Sequence, residues 1–99
     1  MSKILFEINY SIYPGKREEY LNILQELKTL IRNDFIKDYY VYENANHPNN
    51  FFELFVCNSE EEYEKFEDNQ SEEIKALITK IFTEFVIRNK ISYSTKKEL

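Results

Sequence analysis

The polar residues set among apolar neighbours are where this 99-residue chain has material for chemistry. Glu7, Asn9 and Glu53 each fall within stretches of alternating apolar residues. Carboxylates on neighbouring strands can form an acid/base pair, because burial and like charge push one carboxyl upward until it serves as a base. The alternative for such residues is solvation, or satisfaction across an interface. His47 is the only histidine and precedes Pro48 in an Asn-rich segment. One imidazole is a candidate proton shuttle near neutral pH; a solvated loop residue is the simpler reading, since nothing beside it in sequence would orient the ring. Cys57, the only cysteine, ends an apolar run just before a helix start. A thiol there is either a small buried apolar group or a thiolate favoured by the helix N-terminus. The eight tyrosines pack a core, or they line an aromatic pocket with one or two hydroxyl contacts.

Several kinds of chemistry are absent from the pattern. A zinc site needs three or four His or Cys ligands, and one of each gives no metal site. The acidic run "SEEEYEKFEDNQSEE" lacks the alternating ligands and glycine of a calcium loop, and reads as a solvated helix face. There is no phosphate loop, dinucleotide fingerprint or nucleophile elbow. No cofactor is expected. A formal charge of −5 without a basic stripe argues against nucleic acid and anionic membranes as partners. No apolar run approaches the roughly 20 residues of a membrane span, and the start "MSKILFEINY" lacks the apolar region and cleavage site of a signal peptide. A soluble, cytoplasmic protein is the expectation. A single cysteine allows no intrachain disulfide.

The elements that position these groups follow from periodicity. Residues 4–13, "ILFEINYSIY", alternate as a strand, with Ile4, Phe6, Ile8, Tyr10 and Ile12 on one face. The other face, with Leu5, Glu7, Asn9, Ser11 and Tyr13, is mixed, as suits a sheet covered by a second subunit. "PGK" ends the strand. Gly15 is the only glycine, so a positive φ is the simplest reason for it. Tyr20, Ile23, Leu24, Leu27, Leu30 and Ile31 predict an amphipathic helix over about 16–32. "RNDFIKD" is a connector. "YYVYEN" and "FFELFVC" are strands joined by the hairpin loop "NANHPNN". Ser59 and Glu62 have the form of a capping box, and Ser71 restarts the helix after "EDNQS". Ile74, Leu77, Ile78, Ile81, Phe82 and Phe85 carry that helix to about residue 87, and "KISYST" is a last short strand. The order β-α-β-β-α-β over residues 1–99 predicts one domain, an α+β ferredoxin-like sandwich.

Two stretches carry a family resemblance. "YSIYPGKREEYL" and "HPNNFFELFVCNSEEEYEKF" resemble the antibiotic-biosynthesis-monooxygenase type of the dimeric α+β barrel superfamily, in order and length over nearly the whole chain. The resemblance implies a homodimer whose two sheets pack face to face. It also implies a cavity between sheet and helices, for which Phe6, Tyr10, Phe55, Cys57, Tyr63 and Phe66 are the candidate lining. Relatives of this kind oxidise quinols or polyketide phenols without a cofactor, degrade haem, or bind other ligands. By that analogy a small aromatic ligand is the expected partner, and Asn9 and His47 are the catalytic candidates. The family's frequent acidic strand residue falls on Phe55, its Trp or Tyr on Cys57, and its helix His on Phe66. Those three replacements fill space, so a non-catalytic dimeric structural or regulatory module is the alternative.

Overall fold

In the computed structural model the described residues are 3–31 and 36–99, with the Asn89 side chain excepted. The first four residues of the expected connector, residues 32–35, lie outside them.

Alternation produces four strands in one antiparallel sheet: β1 (Ile4–Ile12), β2 (Asp38–Glu43), β3 (Asn50–Cys57) and β4 (Val86–Lys97), in spatial order β2-β3-β1-β4. The order of elements makes an α+β ferredoxin-like sandwich. In register, Ile8 lies between Glu53 of β3 and Tyr93 of β4, so these three share a face. That face carries Tyr10, Phe51, Phe55 and Cys57, all buried beneath the helices. The opposite face carries Leu5, Glu7 and Asn9 beside Phe52, Leu54 and Val56. Tyr40 and Tyr42 extend it on β2, with their rings 6.3 Å apart.

Helix α1 (Arg17–Leu30) buries Tyr20, Ile23, Leu24 and Leu27, one stripe at helical spacing. A 3₁₀ turn at Pro14–Lys16 leads into it, with proline where its missing N–H costs nothing. Gly15 does not have a positive φ, and a Cβ there would meet nothing within 4 Å. The left-handed residue is Asn49 in the β2–β3 hairpin, at φ 64°. Asparagine tolerates that region, so the hairpin closes without glycine. Helix α2 (Glu60–Asp68) starts on Ser59, whose Oγ accepts the Glu62 N–H at 3.2 Å. Helix α3 (Glu72–Lys80) starts on Ser71, whose Oγ accepts the Ile74 N–H at 3.2 Å. Both serines satisfy an otherwise unpaired first-turn donor.

The end of α3 departs from expectation. The helix does not continue to residue 87. A π-helical turn takes over at Ile81–Phe85, and β4 begins at Val86. The stripe Ile81, Phe82, Phe85 reads equally as α-helix, but pairing to β1 recruits Val86 opposite Ile12, with a register shift between Tyr10 and Ile12. β4 is thus twelve residues long, not six. No helix among the described residues is long and apolar enough to cross a membrane.

Candidate functional site

The strongest chemical feature is a carboxylate in the middle of the core. Period 2 puts Phe51, Glu53, Phe55 and Cys57 on the helix-covered face of β3, and Glu53 is only 3% exposed. Its two oxygens are held by phenols from both neighbouring strands. Tyr10 on β1 donates to Oε2 at 2.9 Å, and Tyr39 on β2 donates to Oε1 at 2.5 Å. Each tyrosine sits diagonally across the ladder from Glu53, within reach of a long side chain. The hydroxyls of Tyr10 and Tyr20 lie 2.7 Å apart. With the Tyr10 proton given to the carboxylate, Tyr20 on α1 is the donor to Tyr10. Three strands and a helix therefore converge on one acid group.

The electrostatics follow from burial. Loss of water pushes the Glu53 carboxyl above its ordinary value, opposed by donation from Tyr39 and Tyr10. Burial, and then the Glu53 charge, raises the phenols of Tyr10, Tyr39 and Tyr20, so they stay protonated and donate. Glu53 is held by neutral donors, the arrangement in which a buried carboxylate keeps an appetite for a proton or a positive charge.

A cavity of about 260 Å³ opens on Glu53 between the sheet and the second half of the chain. β1 supplies Ile8 and β3 supplies Glu53 and Phe55. α2 adds Tyr63, Phe66 and Glu67, with Gln70 just beyond it. Ile78 of α3, Phe82 of the π turn and Tyr93 of β4 close the rest. The walls are fixed by ring packing. Phe55 meets Tyr63 edge-on at 5.6 Å and lies 5.8 Å from Phe66, while Phe82 meets Tyr10 edge-on at 5.5 Å. Phe55, Phe66 and Phe82 line this space without filling it. At the mouth, burial and the neighbouring Asp68 and Glu64 raise the Glu67 carboxyl. The volume lies just below the usual range for drug-sized ligands, so it suits a molecule of one small ring.

Of the expected pocket residues, Phe55, Tyr63 and Phe66 line the cavity. Tyr10 stands behind it as a donor to Glu53. Phe6 backs the wall, stacked on Tyr63 at 4.0 Å. Cys57 is fully buried and not among the lining residues; burial, and then Glu62, pushes its thiol up to about 11. That keeps it protonated and unreactive near neutral pH. The two catalytic candidates are elsewhere. Asn9 points to the other face of the sheet, where its Nδ2 donates to Asn50 Oδ1 at 3.0 Å and to the Phe51 carbonyl at 2.9 Å. His47 is exposed in the hairpin turn. Glu7 and Glu53 do not form an acid/base pair, because Glu7 faces Leu54 and Glu53 faces Ile8 on opposite sides of the sheet. Glu7 instead accepts from Ser94 at 3.2 Å.

The sequence alone does not bring Tyr20, Tyr39, Ile78 and Tyr93 into one site with Glu53. The signal that existed was Glu53 itself, a carboxylate with Phe at both i±2 positions. Near the hairpin, a second hollow of about 410 Å³ is occupied by a structural clamp. Arg17 grips Glu43 through two bonds of 2.6 and 2.9 Å, and the Asn49 N–H adds a third at 2.8 Å. The Arg17 guanidinium and that N–H hold the Glu43 carboxyl down at about 2. Among the described residues no three His, Cys, Asp or Glu side chains gather as metal ligands.

The sequence matches no protein-family model and no curated protein. Solved structures do match in fold. A conserved protein from Methanosarcina mazei superposes with a TM-score of 0.82 at 15% identity, over 100% of this chain and 95% of that one. An antibiotic biosynthesis monooxygenase superposes with a TM-score of 0.78 at 15% identity, over 100% and 99%. Rv0793 from Mycobacterium tuberculosis does so with a TM-score of 0.78 at 12% identity, over 98% and 95%. This chain therefore shares the α+β ferredoxin-like fold of these structures, an antibiotic biosynthesis monooxygenase among them.

Proposed function

We propose that the chain binds a small aromatic ligand in the cavity between sheet and helices, anchored on Glu53. The observation that carries this reading is a buried carboxylate facing an aromatic-walled space. Glu53 spends two of its roughly four lone-pair sites on Tyr10 and Tyr39, leaving acceptor capacity toward the cavity. Monooxygenation of a phenol or quinol is less well supported. It develops negative charge on the substrate, and among the described residues no basic side chain lines this cavity to stabilise it. The Asn9 amide, the candidate by analogy, is bonded on the far face.

The alternative, a non-catalytic dimeric structural or regulatory module, is favoured by one observation: both Glu53 oxygens already accept a phenol, which a purely structural network would also require. Both readings include a homodimer and need no cofactor. The deciding experiment follows backbone and side-chain chemical shifts while small monocyclic aromatics are titrated in. The expected result is saturable shifts clustered on Tyr63, Ile78 and Phe82, abolished by Ile78→Trp, which fills the cavity. Absence of saturable shifts, with folding intact, leaves the structural module.

A further inference from the structure

The cavity's wall chemistry goes further than its shape. Half of its ten lining residues are aromatic: Phe55, Tyr63, Phe66, Phe82 and the exposed Tyr93. Its two acidic groups are both carboxyls, Glu53 inside and Glu67 at the mouth. Gln70 is neutral, and among the described residues no Lys, Arg or His lines the space. Aromatic faces present negative charge, and a cation within about 6 Å of a ring centroid is attracted to it. A carboxylate behind such rings adds direct attraction, and Glu53 itself is shielded from water at 3% exposure.

From this we infer that the cavity recognises a small organic cation, an amine or quaternary ammonium attached to a small apolar ring. The inference rests on the ligand-binding reading of the same cavity. Three features agree with it. An anion would meet two carboxyls and no counter-charge. A neutral phenol would leave the Glu53 charge buried with neutral donors alone. A cation supplies the missing partner, and the chain's formal charge of −5 favours its approach. Glu53 is also preorganised for the task, since Tyr10 and Tyr39 fix both its oxygens and Tyr20 fixes Tyr10.

Proton linkage gives the inference a second handle. The groups facing Glu53 are Tyr10 from β1, Tyr39 from β2, Tyr20 from α1, Tyr63 and Glu67 from α2, and Tyr93 from β4. Burial and the buried acid keep the phenols of Tyr10, Tyr20, Tyr39 and Tyr63 neutral. Glu53 and Glu67, whose carboxyls are both raised by burial, are the groups left to change charge. Cation affinity should therefore fall as pH drops and Glu53 takes up a proton.

The test compares benzylamine, benzyl alcohol and benzoate, three probes of one shape and different charge, by shift titration near neutral pH. Benzylammonium is expected to bind about tenfold more tightly than benzyl alcohol or better, a difference on the scale of one good cation–π and ionic contact. Benzoate is expected to bind most weakly. Glu53→Gln should erase most of the preference for the cation while leaving benzyl alcohol binding, and should flatten the pH profile. Glu67→Gln should give a smaller loss. Equal binding of benzylammonium and benzyl alcohol, or a preference for benzoate, overturns the cation inference and leaves the cavity reading standing. No binding of any probe removes both. The wild-type series decides the matter even if Glu53→Gln folds poorly.

Discussion

Glu53 illustrates how a single residue can be costly to a fold and still be held firmly by it. A carboxyl whose folded value is raised above its unfolded one stabilises the protein most when protonated. Its contribution is fully present below the ordinary glutamate range, and is lost as pH rises through the raised folded value. Above the ordinary glutamate range, burying this carboxyl is therefore a net burden, retained against stability, which is common at sites kept for function. Glutamine has the same shape, keeps an acceptor for one phenol and removes the charge. Glu53→Gln is expected to raise the melting temperature at neutral pH, by an amount on the order of 1 kcal/mol, or about 4–8 °C for a chain of this size. The gain should shrink as pH falls below the ordinary glutamate range, where wild-type Glu53 is also neutral. Thermal melts across that range check it. A loss of stability at neutral pH would mean that Tyr10 and Tyr39 more than offset the desolvation.

At the scale of elements, the backbone's special conformations sit where local chemistry allows them, which is not always where composition points. The lone glycine looks like the position that needs a positive φ, yet Gly15 lies in a 3₁₀ turn with open space around it, and Asn49 carries the left-handed conformation. Gly15→Ala is thus expected to stabilise by about 0.4–1 kcal/mol through the unfolded chain's lost freedom. Asn49→Ala is expected to cost about 1–2 kcal/mol in backbone strain, and also to lose the contact from Arg17 Nη1 to Asn49 Oδ1 at 3.0 Å. Urea titrations of both variants check the contrast; destabilisation by Gly15→Ala would contradict it. The same contrast shows what the sequence discloses. Strand faces, the α1 stripe and the serine caps at Ser59 and Ser71 are local patterns, and all were readable. The π turn was not, because Ile81, Phe82 and Phe85 satisfy a helical period just as well. What displaces the helix is pairing of Val86 with Ile12, a contact between residues far apart in the chain. The site was hidden for the same reason. Glu53 was visible as an odd residue in an apolar strand, but its donors Tyr10, Tyr20 and Tyr39 reach it from three other elements, and Phe82 reaches the cavity only through the π turn.

For the whole molecule, the residues of the sheet face that the helices leave uncovered favour a second copy of the chain as its cover. The helices lie on one side only. The other side presents Leu5, Phe52, Leu54 and Val56, with Tyr40 and Tyr42 exposed to 45% and 58%. Four strands about 4.8 Å apart, paired over some eight residues of about 3.3 Å each, make a face of roughly 500 Å² per chain. Two such faces approach the lower bound of about 1,200 Å² for a specific interface once side-chain relief is added. The free edge of β4 is a poorer contact, since Arg88, Lys90, Lys96 and Lys97 discourage edge-to-edge pairing. Face-to-face packing of two copies is therefore the expected assembly. Light scattering at micromolar concentration should give twice the 12.1 kDa chain mass. Leu54→Glu should yield a monomer that keeps its helical signal, because Leu54 points away from the core beneath the helices. The same variant should leave ligand binding in the cavity measurable, since no cavity residue lies on that face. A wild-type chain that stays monomeric at those concentrations would show that this face is stable in water on its own, with the polar pairs Glu7–Ser94 and Asn9–Asn50 sufficient to hydrate it.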